Sequence, residues 1–580
     1  MADRPFRVLR IRLESGKADV LNFGSVNECI GGSGLAAALY NEFGLPDAPY
    51  DHPDQPLIFA IGPLTGYFPL MSKVVCGFKS PYHQQYAESH AGGRMALAMR
   101  FTGYEAVVFT GRAPHPSAVC VTSRGFEIKD ATFLWGASAL TAGRILRRTF
   151  PGGSGHRSTL RIGPAGETGS GYACINVDTF RHFGRLGSGT VMGCKNLKGI
   201  VIHGDADMAL PKDDTSYNKL FRKVYEDMTA TDMMRKYHNL GTPINVVPLN
   251  ELKSLPLENL QKTTDPRAAN ISGETFAKDL LLRNAACSGC PVGCIHLGML
   301  RRQFQDDHRF MYKQVTYDHE PIFAMGAMLG VYDGGDVLLL LDEVEKQGLD
   351  CMSAGVALAW ATEAMEKGVL SEKETQLPLA FGSTEAYRKA VWHLGHASND
   401  FYKALAQGAM HAADIYGGGD YACVLGQEMA GYATGEVFWV AQGMGFRHSH
   451  LDSGGYSYDQ KHKEHDVEKA VTFMVEDEQA RCLLTSLVSC LFARGVYSEE
   501  LIGECLQSVG LDELAGTMGQ ASARVQQMRW NLRARTGYDP RKARIPKRFM
   551  EVVTWKGPQS QEYLDALKQR YAEEIMRMAG

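Results

Sequence analysis

The sequence predicts an α+β fold, with a sheet-rich N-terminal domain over residues 1–206 and two mainly helical domains over 207–420 and 421–580. Three observations predict it. Before about Asp205, short apolar runs such as Ala106-Val-Val-Phe-Thr110 and Gly199-Ile-Val-Ile-His203 alternate with glycine-rich turns, the pattern of strands. After it, longer stretches carry apolar residues at helical spacing. A chain of 580 residues also exceeds what one hydrophobic core can serve.

The elements follow in order. Gly31-Gly-Ser-Gly34 precedes a helical Leu35-Ala-Ala-Ala-Leu-Tyr40, and a helix N-terminus of this kind can take a phosphate. Its spacing is not that of a dinucleotide fingerprint. Gly184-Arg-Leu-Gly-Ser-Gly189 and Gly193-Cys-Lys-Asn-Leu-Lys198 join glycine to cations; an anionic cofactor and a structural turn are both open there. A helix is expected over Asp336–Gln347. Another is expected from Ser353 to Gly368, with Ser353 as N-cap and Gly368 as the stop. Helical patterns recur over Glu464–Leu484 and from Gln559 onward. No short internal repeat stands out.

Composition narrows the function classes. With 44% hydrophobic and 22% charged residues, net charge −4 and a pI near 6.5, the chain lacks the basic excess of a nucleic-acid binder. The longest uncharged run near the N-terminus, Gln55–Ser72, is broken by Gly62, Pro63, Gly66 and Pro69, so no membrane span is expected. The start, Met-Ala-Asp-Arg-Pro-Phe-Arg, has no apolar leader, which points to the cytoplasm. In that compartment the thirteen cysteines are expected as thiols or metal ligands.

The sharpest chemical signal is Cys287-Ser-Gly-Cys290-Pro-Val-Gly-Cys294, a loop with glycine and proline between three thiols. An iron–sulfur cluster is the first reading and requires a distant fourth cysteine. Zinc, with His296 nearby, is the second. Buried free cysteines are the third. In His448-Ser-His450-Leu-Asp452, a strand would place all three polar side chains on one face; a polar loop is the plainer reading. Glu320, in Tyr317-Asp-His-Glu320-Pro-Ile, stands at a helix start.

Taken in order, these segments resemble the aldehyde:ferredoxin oxidoreductase family of tungstopterin enzymes over nearly the whole chain. The signposts are Ile61-Gly-Pro-Leu-Thr-Gly66, Lys79-Ser-Pro81, Ser89-His-Ala-Gly-Gly-Arg94, Gly103-Tyr-Glu-Ala106, Ile162-Gly-Pro-Ala-Gly-Glu167 and Gly184–Lys198. The cysteine loop, Gly348-Leu-Asp350, Trp530-Asn-Leu-Arg533 and Pro546-Lys-Arg-Phe549 follow. The resemblance implies a pterin-binding N-terminal domain and a bis-pterin holding tungsten or molybdenum, with no protein ligand required on that metal. It implies one 4Fe-4S cluster on Cys287, Cys290, Cys294 and a third-domain cysteine, best matched by Cys490 ahead of Cys482. It implies Mg2+ bridging the pterin phosphates through the carbonyls of His90 and Leu186, with Lys73 and Arg185 beside the phosphates and Gly92 and Gly93 close by. The catalytic acid and histidine correspond to Glu320 and His448; burial beside a metal predicts a raised pKa for Glu320.

The family's paired pterin-contacting segments have the form DxxGL followed by D or C. The first is Glu345-Lys-Gln-Gly-Leu-Asp350, contributing Glu345, Leu349 and Asp350. The second is Thr485-Ser-Leu-Val-Ser-Cys490, with Ser489 as the contact, and it lacks both the acid and the glycine. Lys73 stands for a frequent arginine and His90 for asparagine. The implied reaction oxidises an aldehyde to a carboxylate with water, electrons leaving through the cluster to ferredoxin or a cluster-rich partner subunit of an oligomer. A low-potential reduction of another substrate, such as an aromatic acyl-CoA, is the alternative, and a non-catalytic electron-transfer subunit the third.

Overall fold

The computed structural model describes residues 4–152, 156–211, 213–305 and 309–580. Met1 to Asp3 lie outside the described residues.

The first six strands, β1 (Phe6–Arg12), β2 (Lys17–Phe23), β3 (Leu57–Ala60), β4 (Val74–Lys79), β5 (Tyr86–Ala91) and β6 (Ala106–Thr110), form one sheet in the order 2-1-6-3-4-5. The next six form a second sheet in the order 8-7-12-9-10-11: β7 (Ser117–Thr122), β8 (Gly125–Asp130), β9 (His156–Arg161), β10 (Ile175–Val177), β11 (Arg181–Phe183) and β12 (Leu197–Gly204). Raising each strand number by six converts the first order into the second. Each sheet has one parallel pair, β1 with β6 and β7 with β12. β6 and β12 are buried along their whole length, which is why each holds an apolar run, Ala106–Phe109 and Gly199–Ile202.

The repeat is structural, and its trace in sequence is short. Each third strand runs into Ile-Gly-Pro, at Ile61–Pro63 and Ile162–Pro164. A Cβ on Gly62 would stand 2.4 Å from the Leu487 carbonyl oxygen, and one on Gly163 would stand 2.3 Å from that of Gln347. The two glycines therefore receive the two helix-ending segments, 485–490 and 345–350, at equivalent places. Backbone hydrogen bonds repeat the correspondence: the Lys73 N–H donates to the Val488 carbonyl at 3.0 Å, and the Cys174 N–H donates to Gly348 at 2.9 Å.

Beyond β12 the chain is mainly helical, with one addition that the sequence did not suggest. β13 (Leu281–Ala285), β14 (Ile295–Gln305) and β15 (Arg309–Tyr317) form an antiparallel sheet. Its first connection is the cysteine loop, and its last strand delivers the chain to Glu320. The helices Gly334–Gln347 and Cys351–Glu366 follow. The second begins before Ser353 because Asp350 is the cap, accepting the N–H groups of Met352 and Ser353. The C-terminal helices Val467–Ser486, Asp512–Arg535 and Gln561–Ala579 pack on one another. Among the described residues no single helix is long and apolar enough to cross a membrane.

The glycines of Gly31–Gly34 serve packing rather than phosphate. A Cβ on Gly32 would stand 2.3 Å from the Thr485 carbonyl, so the helix Gly32–Phe43 lies directly against the 485–488 segment. Within Gly184–Gly193 the work is divided. Gly184, Arg185 and Leu186 face a cavity, while Gly189 and Gly193 press on the backbone of Cys174 and Gly166.

Candidate active site and cluster site

The two sheets, the small sheet and the two helix-ending segments enclose a cavity of about 460 Å³. Cys287, Cys290 and Cys294 enter from the β13–β14 connection and Cys490 from the segment after Val467–Ser486. Local hydrogen bonds bring these elements together. The Cys490 N–H donates to Leu70 at 2.9 Å, Leu70 donates to Gly289 at 3.1 Å, and Ser288 donates to Gly93 at 3.0 Å. Cys482, the competing cysteine, is buried elsewhere, with the Arg529 guanidinium 3.2 Å from its sulfur.

Burial pushes the Cys290 and Cys294 thiols up to about 11 and about 12. Cys287 is buried too, but Lys73, Arg181 and the Gly93 N–H, 3.2 Å from its sulfur, hold it below the ordinary thiol range. A Cβ on Gly92 would stand 2.7 Å from the Cys287 sulfur and 3.0 Å from the Lys73 ammonium, so a side chain there would displace both groups. Among the described residues, no three His, Cys, Asp or Glu side chains close on a single point. The four thiols line one cavity and are the residues there that could hold a soft-metal centre.

The cavity also suits an anion. Its wall acids are already partnered: Asp318 with Arg181 at 3.1 Å, Asp350 with Arg185 at 3.1 Å, and Glu345 with His182 at 2.5 Å and Asn176 at 3.0 Å. Two guanidinium N–H groups in the same wall, Arg181 Nε and Arg185 Nη1, are buried without an acceptor. Leaving a charged donor in that state costs a few kcal/mol, which a phosphate or other anionic group would recover. His90 is held between neighbours, its Nδ1 accepting from Arg447 at 3.1 Å and its Nε2 3.2 Å from Glu88. Burial and Arg447 depress it to about 4, so it is neutral. Leu186 has a left-handed backbone (φ 69°), and its carbonyl accepts from Ser80 Oγ at 2.7 Å. Lys73, Leu349 and Ser489 complete the wall with these residues.

Glu320 lies in the cavity, in the first turn of the helix His319–Met325. Its Oε1 accepts from Tyr432 Oη at 2.9 Å and lies 3.2 Å from His450 Nε2. Burial pushes this carboxyl up, but His450 and His319 overcome the burial and hold it at about 2. The raised pKa expected from burial alone is thereby corrected: partners at hydrogen-bond distance outweigh desolvation.

The structure places His448 apart from Glu320. It lies in the wall of a different cavity, of about 500 Å³, with Nδ1 near the Gln442 carbonyl at 3.2 Å and Nε2 accepting from Arg533 at 2.9 Å. Burial and Arg533 depress it to about 3. The physical reason is local. His448 has φ 50°, so residues 448–452 form turns rather than a strand, and His448 and His450 point into different cavities. His450 faces Glu320, with its Nδ1 buried and unpartnered. The sequence contained the signal, a second histidine two residues on, but the strand reading could not rank the two. Arg181, His182, Tyr432 and Arg447 were not singled out, since each reaches the site from a separate element.

Comparison with known proteins decides the family. Residues 8–204 match the model "Aldehyde ferredoxin oxidoreductase, N-terminal domain", and residues 219–577 match the model for domains 2 and 3. The chain belongs to the aldehyde ferredoxin oxidoreductase family. It is 27% identical to the tungsten-containing aldehyde ferredoxin oxidoreductase of Pyrococcus horikoshii and 28% identical to that of Pyrococcus furiosus. Each alignment covers 95% of this chain and 92% of the relative. It is also 25% identical to the WOR-like subunit of an aliphatic sulfonate oxidoreductase from Pyrococcus furiosus, over 62% of this chain and 58% of that protein. The fold is shared with the active-site complex BamBC of benzoyl coenzyme A reductase, with a TM-score of 0.78 at 19% identity, over 99% of this chain and 95% of the other.

Proposed function

We propose that the chain is the catalytic subunit of a tungsten- or molybdenum-bispterin oxidoreductase that oxidises an aldehyde to a carboxylate with water as oxygen source. Electrons leave singly through a 4Fe-4S cluster on Cys287, Cys290, Cys294 and Cys490, to ferredoxin or a cluster-rich partner subunit. The observation that carries this reading is the convergence of those four cysteines on the cavity that also holds the Glu320–His450 pair.

In this reading the two pterins lie against Glu345, Leu349 and Asp350 on one side and Ser489 on the other. Arg185 and Lys73 would neutralise their phosphates, and the carbonyls of His90 and Leu186 would hold a Mg2+ ion beside them. When bound, the metallopterin supplies two-electron redox chemistry and the cluster supplies a one-electron relay. The protein supplies proton handling. A carboxylate held near pKa 2 is a weak base, so Glu320 serves to accept from His450 Nε2–H and fix the ring. The unpartnered Nδ1 of His450 takes the proton of the attacking water.

Anaerobic elemental analysis with electron paramagnetic resonance tests the centre. Roughly one tungsten or molybdenum with about four irons per chain is expected. Iron without the heavier metal would instead indicate an electron-transfer subunit. A screen with a low-potential dye tests the reaction, and rapid dye reduction by simple aldehydes is expected. Reduction of another substrate, such as an aromatic acyl-CoA, is the second reading, favoured by the altered Thr485–Cys490 segment. Inert aldehydes with a fully loaded protein would select it.

A further inference from the structure

The second cavity opens to solvent beside the exposed Arg544–Asp414 pair, and Tyr82, His83, His448 and Tyr538 line its depth. Only a thin wall divides it from the cofactor cavity: Gly426 faces one and Gln427 the other. Within that wall lies Glu428, which is fully buried. Its Oε1 accepts from Tyr82 Oη at 3.1 Å and from the Ala409 N–H at 2.9 Å. Its Oε2 has no hydrogen-bond partner, and Ser353 and Arg185 are the polar side chains facing the carboxyl from the cofactor side. Tyr172 also lies near, with its hydroxyl committed to the Leu405 carbonyl at 3.0 Å. The Ser353 hydroxyl donates to Asp350 Oδ2 at 2.6 Å, and Asp350 lines the cofactor cavity.

A proton on Glu428 resolves the unpartnered oxygen. Neutral Glu428 would donate from Oε2 to Ser353 Oγ, while Tyr82 donates to Oε1 and Ser353 donates to Asp350. Every hydrogen bond then points from the solvent-open cavity to the cofactor wall, the order that carries a proton inward; a proton leaves by the reversed order, with Asp350 donating to Ser353, Ser353 to Glu428 and Glu428 to Tyr82. Burial pushes the Glu428 carboxyl up, against the opposing Ala409 N–H, Arg185 and Ser353 hydroxyl, which favours that neutral form.

We propose that Tyr82, Glu428 and Ser353 form a proton path between the second cavity and Asp350 in the wall of the cofactor cavity. It rests on the reading of the cofactor cavity as a redox centre. Oxidation of an aldehyde by water releases protons together with two electrons, and the buried centre must discharge both. Electrons leave on the cysteine side. Protons leave, or enter for the reverse reaction, through Glu428, each hop breaking one O–H bond and forming another with no change of oxidation state.

Glu428→Gln in the intact holoenzyme is the test. The amide oxygen keeps both acceptor contacts and the NH2 donates to Ser353, so the hydrogen bonds survive and only the mobile proton is lost. We expect unchanged tungsten or molybdenum and iron content, benzaldehyde-dependent reduction of benzyl viologen slowed by about tenfold to a hundredfold, a displaced pH profile and a larger solvent deuterium isotope effect. Tyr82→Phe should shift the same readouts in the same direction. An infrared band of a buried protonated carboxyl that shifts promptly in D2O and vanishes in Glu428→Gln is expected whether or not metal is bound. Unchanged rate, pH profile and isotope effect at full metal content would overturn the path. So would absence of an exchangeable Glu428 band. Wild-type protein without tungsten or molybdenum would defeat the redox reading instead, leaving the infrared band to decide the path.

Discussion

Gly348 and Val488 occupy equivalent positions in the two segments that flank the cofactor cavity, and both have left-handed backbones, φ 69° and 55°. Each follows a long helix, and the carbonyl of each accepts an N–H from the strand domain, Cys174 for Gly348 and Lys73 for Val488. The conformation is therefore kept in the second segment although the glycine is not. A β-branched residue in this region is strained by about 1–2 kcal/mol, and the strain lies two residues from Cys490.

That strain gives the first prediction. Val488→Ala and Val488→Gly both empty a buried site, but only glycine relieves the backbone. Val488→Gly should be the more stable of the two by about 1 kcal/mol, reversing their usual order. Denaturant unfolding of both variants measures it, and an alanine variant equal to or better than the glycine variant would show that the backbone is relaxed. At the other segment, a Cβ on Gly348 would stand 2.7 Å from the Gly163 nitrogen, so Gly348→Ala should cost about 2–4 kcal/mol.

The two histidines separate by mutation. Glu320→Gln and His450→Asn should each keep the metal and lower turnover by about 10²-fold or more, and the double variant should be no worse than about the weaker single variant, because the pair acts as a unit. His448→Asn, in the other cavity, should retain turnover within about fivefold of wild type, well short of the loss from removing a general base. A larger loss at 448 than at 450 would return the catalytic role to His448.

Cys490→Ser should strip or distort the cluster signal in electron paramagnetic resonance and lower the iron content. Cys482→Ser, which removes a sulfur held by Arg529 away from the cavity, should leave both close to wild type. The opposite ranking would reassign the fourth ligand.

Buried Glu478 predicts a pH effect on stability. Its two oxygens have no geometric hydrogen-bond partner, and burial, only partly offset by Arg529, raises it from 4.5 to about 7. The folded state thus holds this proton more tightly than the unfolded state. Its contribution is fully present below pH 4.5 and is lost as pH rises toward about 7. The difference is at most about 3 kcal/mol. Between pH 5 and pH 8 the unfolding midpoint of Glu478→Gln should rise relative to wild type; parallel curves would mean that Glu478 is ionised in the fold.

Much of this was legible in the linear chain. The apolar runs of β6 and β12 announced central strands, and the spacing of Cys287, Cys290 and Cys294 announced a soft-metal loop, because period and spacing are local properties that survive folding. The duplication of the two sheets was not legible. Its sequence trace is little more than Ile-Gly-Pro, since equivalent strands need only apolar character and equivalent turns need only room. The three-stranded sheet was hidden for a related reason: β14 and β15 carry Arg301, Arg302 and Lys313 among their apolar residues, so their strand period is weak.

The sequence by itself determined which groups are available: three clustered thiols, two nearby histidines, an acid at a helix start, and glycine wherever backbones must touch. Only the tertiary structure decided which of them meet. Cys490 rather than Cys482 reaches the loop because the helix Val467–Ser486 ends at Gly62. His450 rather than His448 reaches Glu320 because a single left-handed residue turns the chain between them. Proximity across hundreds of residues is set by packing and by a few backbone dihedrals, and neither leaves a periodic mark in the sequence.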